Sequence, residues 1–253
     1  MKNNNALSDI QEGLHFLSLG GIGEIGANCY LYGCDGKWIM IDLGLSFADE
    51  KFPGVDLLLP KIDHIESLQD NLEAIIISHG HEDHAGAVAF LASKIKCPVY
   101  ATKFAKLLIE NRLKEFNEVE NFNLLEINLN KKLSFENFSL DFIPTTHSIP
   151  EPSAIVISTS YGSLLHTADW KIDYSPTLGE SFSKKQFEKL GNEGLLALVG
   201  DSTNANVPGS SQSENDVREE LTNIFSRFSN RIVVTCFSSN IARMKNIIQA
   251  AKK

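Results

Sequence analysis

The sequence lacks several features that mark common classes of protein. None of its four cysteines stands in a C-x-x-C pair, which gives no sign of a cysteine-based metal or redox motif and indicates reduced, partly buried thiols. No stretch approaches the roughly 18 apolar residues that a membrane helix needs. The N-terminal segment from Met1 to Gly13 is polar and has no apolar signal core. We therefore expect a soluble, cytoplasmic protein with no membrane contact.

Positive charge is also scarce. Lys and Arg number 23 against 32 Asp and Glu, and the net charge is -9 at pH 7. This balance argues against a broad basic surface for nucleic acid, although it does not exclude a small local one. The length of 253 residues, 43% of them hydrophobic, is enough for a full core. It is long for one domain and short for two, so we predict one domain and part of a second.

A dense cluster of potential metal ligands stands out against this background. His79, His81, Asp83 and His84 form H-x-H-x-D-H directly after an apolar run. Imidazole nitrogen and carboxylate oxygen are ligands that zinc prefers. In an extended turn, His79 and His81 point the same way and can bind one ion, which leaves Asp83 and His84 for a second. The alternative, a polar loop with chance histidines, needs four such residues to cluster by accident, so we predict a two-metal hydrolase.

Two further candidates, His147 and Asp169, each follow a predicted strand. A carboxylate at such a position can bridge two ions about 3.5–4 Å apart, as in sites that activate water and stabilise an in-line phosphoryl displacement. Taken singly, each residue has an ordinary structural interpretation: the histidine bonded to backbone, the aspartate capping a turn. Their occurrence after H-x-H-x-D-H favours metal ligands.

The apolar patterns predict a mixed α/β fold. The ligand cluster follows a buried strand at 74–78 and precedes a helix at 85–94, so it lies at the carboxyl end of a strand, where α/β sheets place their sites. The other predicted elements are strands at 14–19, 28–32, 37–43, 138–143, 154–159 and 163–167, and a helix at 102–116.

The glycines of Gly21-x-Gly23-x-x-Gly26 match the dinucleotide-binding fingerprint in spacing. That site requires a helix to begin at the third glycine, so that its N-terminus meets the pyrophosphate. Residues 28–32 instead alternate like a strand. We therefore expect the glycines to shape a hairpin, and we disfavour a nicotinamide or flavin site.

A loop-like composition at 206–215 predicts a domain boundary near residue 210. Beyond it we predict an amphipathic helix from Ser213, a strand at Arg231–Phe237 and a helix over 241–248, which is the opening of a second α/β unit. We expect this segment to be the least stable part of the chain and to expose an apolar patch. Its members would be Val217, Leu221, Phe225, Ile241 and Ile248.

Several motifs together resemble the metallo-β-lactamase superfamily and, within it, the ribonuclease J family, which carries an inserted β-CASP domain. H-x-H-x-D-H marks only the superfamily, whereas the glycine run, the segment after His147 and the segment at Asp201 narrow the resemblance. In chain order the motifs are Gly-Gly-Ile-Gly-Glu-Ile-Gly at 20–26, Ile-Asp-Leu-Gly at 41–44, His-Gly-His-Glu-Asp-His at 79–84, His-Ser-Ile-Pro-Glu at 147–151, His-Thr-Ala-Asp-Trp-Lys at 166–171, Asp-Ser-Thr-Asn at 201–204 and Phe-Ser-Ser-Asn at 237–240.

The resemblance implies an αββα sandwich over 1–209, followed by the start of a β-CASP α/β domain over 210–253. It also implies two zinc ions, with manganese as an alternative at the more oxygen-rich second position. The implied ligands are His79, His81 and His147 for one ion, Asp83 and His84 for the other, and Asp169 as the bridge.

Two further acidic residues gain roles from the same resemblance. Asp42 would orient the ligand cluster, although a strand-end turn is its ordinary interpretation. Asp83 and Asp201 would be the catalytic residues. Asp201 would support a histidine general acid, although its ordinary interpretation is the cap of a helix or turn. By the same comparison, His15, His64 and His166 match no ligand position.

The implied activity is cleavage of RNA phosphodiesters, both internally and from a 5′-monophosphate end, through attack by a metal-bound hydroxide. It implies RNA as partner, a role in RNA and rRNA processing, and homo-oligomers of the complete protein. The last histidine is His166, whereas the family has later ones, so we expect an N-terminal portion that is impaired alone. The alternatives are a small-molecule hydrolase of the superfamily, such as a thioesterase or lactonase, or a non-catalytic metal-binding fragment.

Overall fold

The computed structural model describes residues 7, 10–61, 65, 67–68, 70–116 and 122–252. The chain divides into two compact units. One comprises Met1–Asp141 and Ile157–Ser163, and the other comprises Phe142–Val156 and Leu164–Lys253. The predicted boundary near residue 210 lies inside the second unit, and a separate domain over 210–253 stays a prediction.

A six-stranded sheet is the centre of the first unit. The strands of this unit up to residue 126 are β1 (Leu14–Gly20), β2 (Cys29–Cys34), β3 (Lys37–Ile41), β4 (Ser46–Phe47), β5 (Leu57–Leu58), β6 (Leu72–Ile77), β7 (Val99–Ala101) and β8 (Leu124–Glu126). The sheet order is β1-β2-β3-β6-β7-β8, while β4 and β5 form a separate pair. Strand β2 pairs antiparallel with both β1 and β3. From β3 onwards, through β6 and β7 to β8, neighbouring strands pair parallel. The predicted strands at 14–19, 28–32, 37–43 and 74–78 are thus confirmed.

Strand β6 leads directly to the ligand cluster. Its residues Ile75, Ile76 and Ile77 are fully buried, because β6 lies inside the sheet between β3 and β7. Such a strand is apolar on both faces, which explains its continuous run of isoleucine. It holds the residues that follow it at the carboxyl end of the parallel strands.

The predicted helix at 85–94 is wrong as a single element. The structure has α1 (Glu82–Ala85), α2 (Ala87–Phe90) and a 3-10 helix (Ala92–Lys94) in its place. The interruption has a backbone cause. The carbonyl of Asp83 accepts the N–H of Asn28, and the N–H of Ala87 donates to Leu43, so the hydrogen bond that would join α1 to α2 is not made. The following helix, α3 (Lys103–Phe116), confirms the prediction at 102–116.

The glycine run joins β1 and β2 as a hairpin. The two strands pair antiparallel, with Leu17 opposite Leu31, and no helix follows Gly26. Gly21 and Gly26 have φ of 82° and 95°, in the region that residues with a side chain rarely adopt. The hairpin interpretation is confirmed. A dinucleotide-binding site would need a helix that begins at Gly26, and this segment has none.

A second sheet has five strands, which are β9 (Leu133–Ser134), β10 (Ser139–Pro144), β11 (Ser153–Thr159), β12 (Gly162–His166) and β13 (Ala197–Val199). Their order in the sheet is β13-β12-β11-β10-β9. The dividing points of the two units fall within its middle strands. Strands β10 to β12 confirm the predictions at 138–143, 154–159 and 163–167. The remaining helices are α4 (Lys184–Glu193), α5 (Glu214–Phe225) and α6 (Ile241–Ala251).

Helices α5 and α6 pack against each other in the second unit. Ser213 begins α5 with a capping box closed by Asp216, and Asn240 caps α6, so both predicted helices are confirmed. Among the described residues, no helix has the length and apolar character needed to span a bilayer.

The predicted apolar patch on these helices is mostly wrong in its members, although the helices do expose other apolar side chains, among them Ile224 at 46% and Met244 at 39%. Of its five members only Ile248, at 53% exposure, is exposed, because the packing of α5 on α6 half-buries the other four. Those four are Val217, Leu221, Phe225 and Ile241.

The predicted strand at Arg231–Phe237 is also wrong. These residues form no strand, and no described strand pairs with them. Val233 and Phe237 are 81% and 84% exposed. The β-branched composition is a preference for a half-buried pleated surface, and it does not produce a strand without a neighbour to pair with.

Candidate metal centre

His79 and His81 bring two ligand atoms together at the end of β6. His79 is fully buried, and His81 has extended backbone at the start of α1. Nε2 of His79 lies 3.1 Å from Nδ1 of His81. Two nitrogen ligands of one tetrahedral zinc ion are about 3.3 Å apart, given Zn–N distances near 2.0–2.1 Å. The pair therefore fits a single divalent ion.

Asp42 lies beneath this pair and organises the start of the cluster. Its carboxylate accepts hydrogen bonds from the backbone N–H of Ser78 at 2.7 Å and from the Ser78 hydroxyl at 2.9 Å. The Ser78 hydroxyl lies 3.0 Å from Nδ1 of His79, which leaves Nε2 of His79 for a metal. A left-handed φ of 63° at Asp42 turns the chain away from β3 at this point.

Asp42 also contacts His84. Oδ2 of Asp42 lies 2.7 Å from Nδ1 of His84, and both residues are buried. A carboxylate at this distance fixes the proton on Nδ1, so that Nε2 is the ring nitrogen that carries the lone pair, an arrangement common behind metal-binding histidines. Asp83 places its Oδ2 at 3.6 Å from that Nε2, so carboxylate oxygen and imidazole nitrogen face the same space.

Asn28 is a member of this site that sequence reasoning missed. Its side-chain nitrogen lies 3.0 Å from Nε2 of His84 and 3.4 Å from Oδ2 of Asp83. The hydroxyl of Tyr30 donates to its amide oxygen at 2.7 Å. No local pattern could have identified Asn28, because its partners are 55 and 56 residues away.

The backbone of the loop after β3 clamps the cluster from one side. The N–H groups of Leu43 and Leu45 donate to His84 and Glu82 at 2.8 and 3.0 Å. A Cβ at Gly44 would lie 1.7 Å from the carbonyl oxygen of Asp83, so only glycine fits. The motif at 41–44 thus serves as the base on which the ligand residues rest.

His147 and Asp169 come together within the second unit. Nε2 of His147 lies 3.5 Å from Oδ2 of Asp169. The two loops meet through a backbone bridge: the N–H of Lys171 donates to Thr146 at 2.8 Å, and the Thr146 hydroxyl donates to the Lys171 carbonyl. This bridge explains why two residues 22 positions apart face each other.

Asp201 follows β13 in the second unit. Its backbone N–H donates to the Thr167 hydroxyl at 3.0 Å, and its Oδ1 accepts the N–H of Thr203 at 2.7 Å. The carboxylate therefore caps a turn through its Oδ1.

Three histidines, His15, His64 and His166, are outside the predicted ligand set. Nε2 of His15 lies 2.7 Å from the carbonyl of Glu12. His166 is buried at the end of β12, and His64 falls outside the described residues.

All four cysteines are free. Burial raises the pKa of Cys97 to about 12 and raises the pKa of Cys29 further still. Both thiols therefore stay protonated at neutral pH, whereas a metal ligand must be the thiolate.

Comparison with known proteins identifies the family. Residues 22–205 match the metallo-beta-lactamase superfamily. The chain is 42% identical to ribonuclease J of Sinorhizobium meliloti over 245 residues, which are 95% of this chain and 43% of that protein. It is 36% identical to ribonuclease J of Thermus thermophilus, over 96% of this chain and 44% of that protein. The chain thus spans less than half the length of these relatives.

A solved structure agrees with the fold. A protein of unknown function from Enterococcus faecalis superposes with a TM-score of 0.62 and 19% identity, over 93% of this chain and 63% of that one. The mixed α/β fold is as predicted, and the cluster at 79–84 together with the family match indicates a divalent-metal site. The chain belongs to the metallo-β-lactamase superfamily.

Proposed function

We propose that this chain carries the metal centre of a ribonuclease of the ribonuclease J type, which cleaves RNA phosphodiesters internally and from a 5′-monophosphate end. The observation that carries the proposal is the convergence of His79 Nε2 and His81 Nδ1 at 3.1 Å. The name and the 42% identity of the Sinorhizobium relative support RNA as the substrate class.

The proposed centre holds two ions. His79, His81 and His147 are the ligands of the first, Asp83 and His84 are ligands of the second, and Asp169 bridges them. Support comes from the pairing of ligand atoms within each unit and from the family resemblance. Zinc suits the nitrogen-rich first position, and manganese is an alternative at the second, which is richer in oxygen.

When bound, the divalent ions supply Lewis acidity, which lowers the pKa of water and offsets charge on phosphoryl oxygens. The residues of the chain set the conditions for this chemistry. Asp42 keeps the proton of His84 on Nδ1, and Ser78 orients His79. Asp83, which with His84 would hold the second ion, would add a carboxylate charge beside it, 3.6 Å from Nε2 of His84. Asp201 would position a histidine general acid.

The wider assignments belong to the same proposal. Residues 210–253 would begin a β-CASP domain, and the whole protein would act in RNA and rRNA processing as a cytoplasmic homo-oligomer. The free cysteines suit a reducing compartment. The net charge of -9 is offset in part by two bound divalent ions.

Metal analysis tests the centre directly. We expect close to one tightly held ion per chain after mild chelation, because the first position has three imidazoles. His79→Ala and His81→Ala should abolish that binding, while His15→Ala, a histidine bonded to backbone carbonyl, should leave it intact. Protein purified without chelator that contains no ion would contradict the proposal.

Substrate class is tested with the metal-loaded chain. We expect hydrolysis of bis(p-nitrophenyl) phosphate, an activated phosphodiester that needs little protonation of its leaving group, and loss of this activity in Asp169→Ala. Hydrolysis of lactones or thioesters in preference to any phosphodiester would indicate a small-molecule hydrolase. Metal binding with no hydrolysis of any of these would indicate a non-catalytic protein.

A further inference from the structure

Residues 79–84, the ligand turn, are supported on two sides within the first unit. On one side the backbone of the loop after β3 bonds to the carbonyls of Glu82, Asp83 and His84, as described above. On the other side lies α3.

The first contact with α3 is close packing at Gly80. A Cβ at Gly80 would lie 2.9 Å from Leu108 Cδ1 and 3.2 Å from Ala105 Cα, so the turn lies almost directly on the helix backbone. Beyond this point the two separate. A cavity of about 250 Å³ opens between them, lined by His81 and Glu82 on the turn and by residues of α3 up to Glu115.

The second contact lines this cavity and is an ion pair. Nη2 of Arg112 donates to Oε1 of Glu82 at 2.8 Å, and Nη1 donates to Oε2 of Glu115 at 3.3 Å. Oε2 of Glu82 is buried and has no hydrogen-bond partner among the described residues. It lies 2.4 Å from the point where a Cβ at Gly86 would stand. The Glu82 carboxylate therefore lies along the turn, and Arg112 is the group that holds it there.

Glu82 stands between His81 and Asp83, two of the proposed ligands. A rotation of the backbone at Glu82 would move both side chains at once. Surface ion pairs contribute little to global stability, and both partners here are partly exposed, with side-chain exposures of 40% and 44%. The consequence of this pair is therefore local: it restricts the orientation of the turn.

An alternative role for Arg112 would be to bind a phosphate of the substrate. Its guanidinium already donates to two carboxylates, and the group of three charges is net negative. The hydrogen bond with Glu82 raises the pKa of Arg112, because the neighbouring carboxylate stabilises the charged guanidinium. This environment favours a link between elements over an anion receptor.

We infer that Arg112 is a positioning residue: through Glu82 it ties the ligand turn to α3 and holds His81 and Asp83 in the orientation that binds metal. The inference rests on the proposed metal centre. It adds two residues, Arg112 and Glu82, that are not among the proposed metal ligands.

Zinc affinity of the purified chain tests this role, measured at pH 7 by competition with a chromophoric chelator. Arg112→Gln and Glu82→Gln should each weaken zinc binding by about tenfold, the lower end of the range for groups that support metal ligands. The double variant should be no weaker than either single variant, because both remove the same link. Arg112→Lys should recover part of the affinity, since it keeps the charge but not the planar fork.

Lys106→Gln is the matched control. Lys106 lies on the same helix and pairs with Glu110 at 3.7 Å, so this variant removes one positive charge from α3 without touching the turn. Zinc affinity should stay within twofold of the wild type. The urea midpoint of the metal-free chain should be the same for Arg112→Gln and Lys106→Gln, which separates positioning from a loss of global stability.

Three outcomes would overturn the inference while leaving the proposed function standing: wild-type zinc affinity in Arg112→Gln, additive losses in the double variant, or an equal loss in Lys106→Gln. If the wild-type chain itself binds no zinc, the proposed function fails and the positioning role fails with it.

Discussion

Replacement of Asp42 by Asn should weaken both the fold and the metal centre. The carboxylate is fully buried and accepts three hydrogen bonds, two from Ser78 and one from Nδ1 of His84. An amide of the same size has only one acceptor oxygen. Whichever way it turns, its NH₂ group faces a position that now holds a donor.

The magnitude follows from these contacts. A hydrogen bond to a charged group contributes about 1.5–3 kcal/mol, and a buried donor left without an acceptor costs about 1–3 kcal/mol. The free energy of unfolding of the metal-free chain should therefore fall by about 2.5–6 kcal/mol, the sum of these two contributions. If the NH₂ group faces His84, the imidazole proton moves to Nε2, the atom needed for metal. Zinc affinity should then fall about 10–100-fold.

Urea denaturation of the metal-free chain and zinc titration measure the two effects, with Asp35→Asn as the control. Asp35 also has a left-handed backbone, with φ of 46°, and also accepts a backbone N–H and a hydroxyl, from Gly13 and Tyr161, but it is exposed. Its variant should change stability by less than about 1 kcal/mol, since surface substitutions usually have small effects. An Asp42→Asn variant that behaves like Asp35→Asn in both measurements would refute the reasoning.

Three further predictions concern other parts of the chain. Gly44→Ala should lower the urea midpoint and abolish zinc binding, whereas Gly191→Ala, in open space within α4, should stabilise the chain by about 0.5–1 kcal/mol; equal effects would contradict the clamp. Burial alone raises the pKa of Asp173, but hydrogen bonds from Glu214, Ser213 and Ser175 outweigh it and hold that pKa below its ordinary value of 3.8. Asp173→Asn should therefore be less stable than wild type above pH 3.8, with the difference narrowing as the pH falls through the lowered pKa; a constant difference from pH 7 to pH 2 would contradict this. Limited proteolysis should cut first within the exposed segment 226–239, and resistance there equal to that of β6 would show that the segment is not locally unstable.

The pattern of neighbouring residues in the sequence was sufficient to predict several elements of the fold and of the site. The isoleucine run before His79 predicted a buried strand, because a strand covered on both faces carries apolar residues throughout. The alternation at 28–32 predicted a hairpin in place of a dinucleotide-binding helix, and the structure has that hairpin. The spacing of His79 and His81 predicted convergent ligand atoms, which the structure places 3.1 Å apart. Each of these features depends on residues close together in the chain.

Other features depended on partners far away in sequence. The helix predicted at 85–94 is broken because Asn28 and Leu43 take backbone groups that would have continued it. The strand predicted at Arg231–Phe237 has no neighbour to pair with among the described strands. In both cases the local preference was real, but hydrogen-bond partners decided the outcome.

The sequence by itself therefore determined which residues could bind metal and which strand would carry them, since ligand chemistry and hydrophobic periodicity are properties of neighbouring residues. Only the tertiary structure decided how those ligands are held: Asp42 behind His84, Asn28 beside Asp83, and Arg112 beside Glu82. These contacts join residues 30 to 55 positions apart. Such pairings arise when buried polar groups find partners across packed elements, and no local pattern specifies which partner each group will meet.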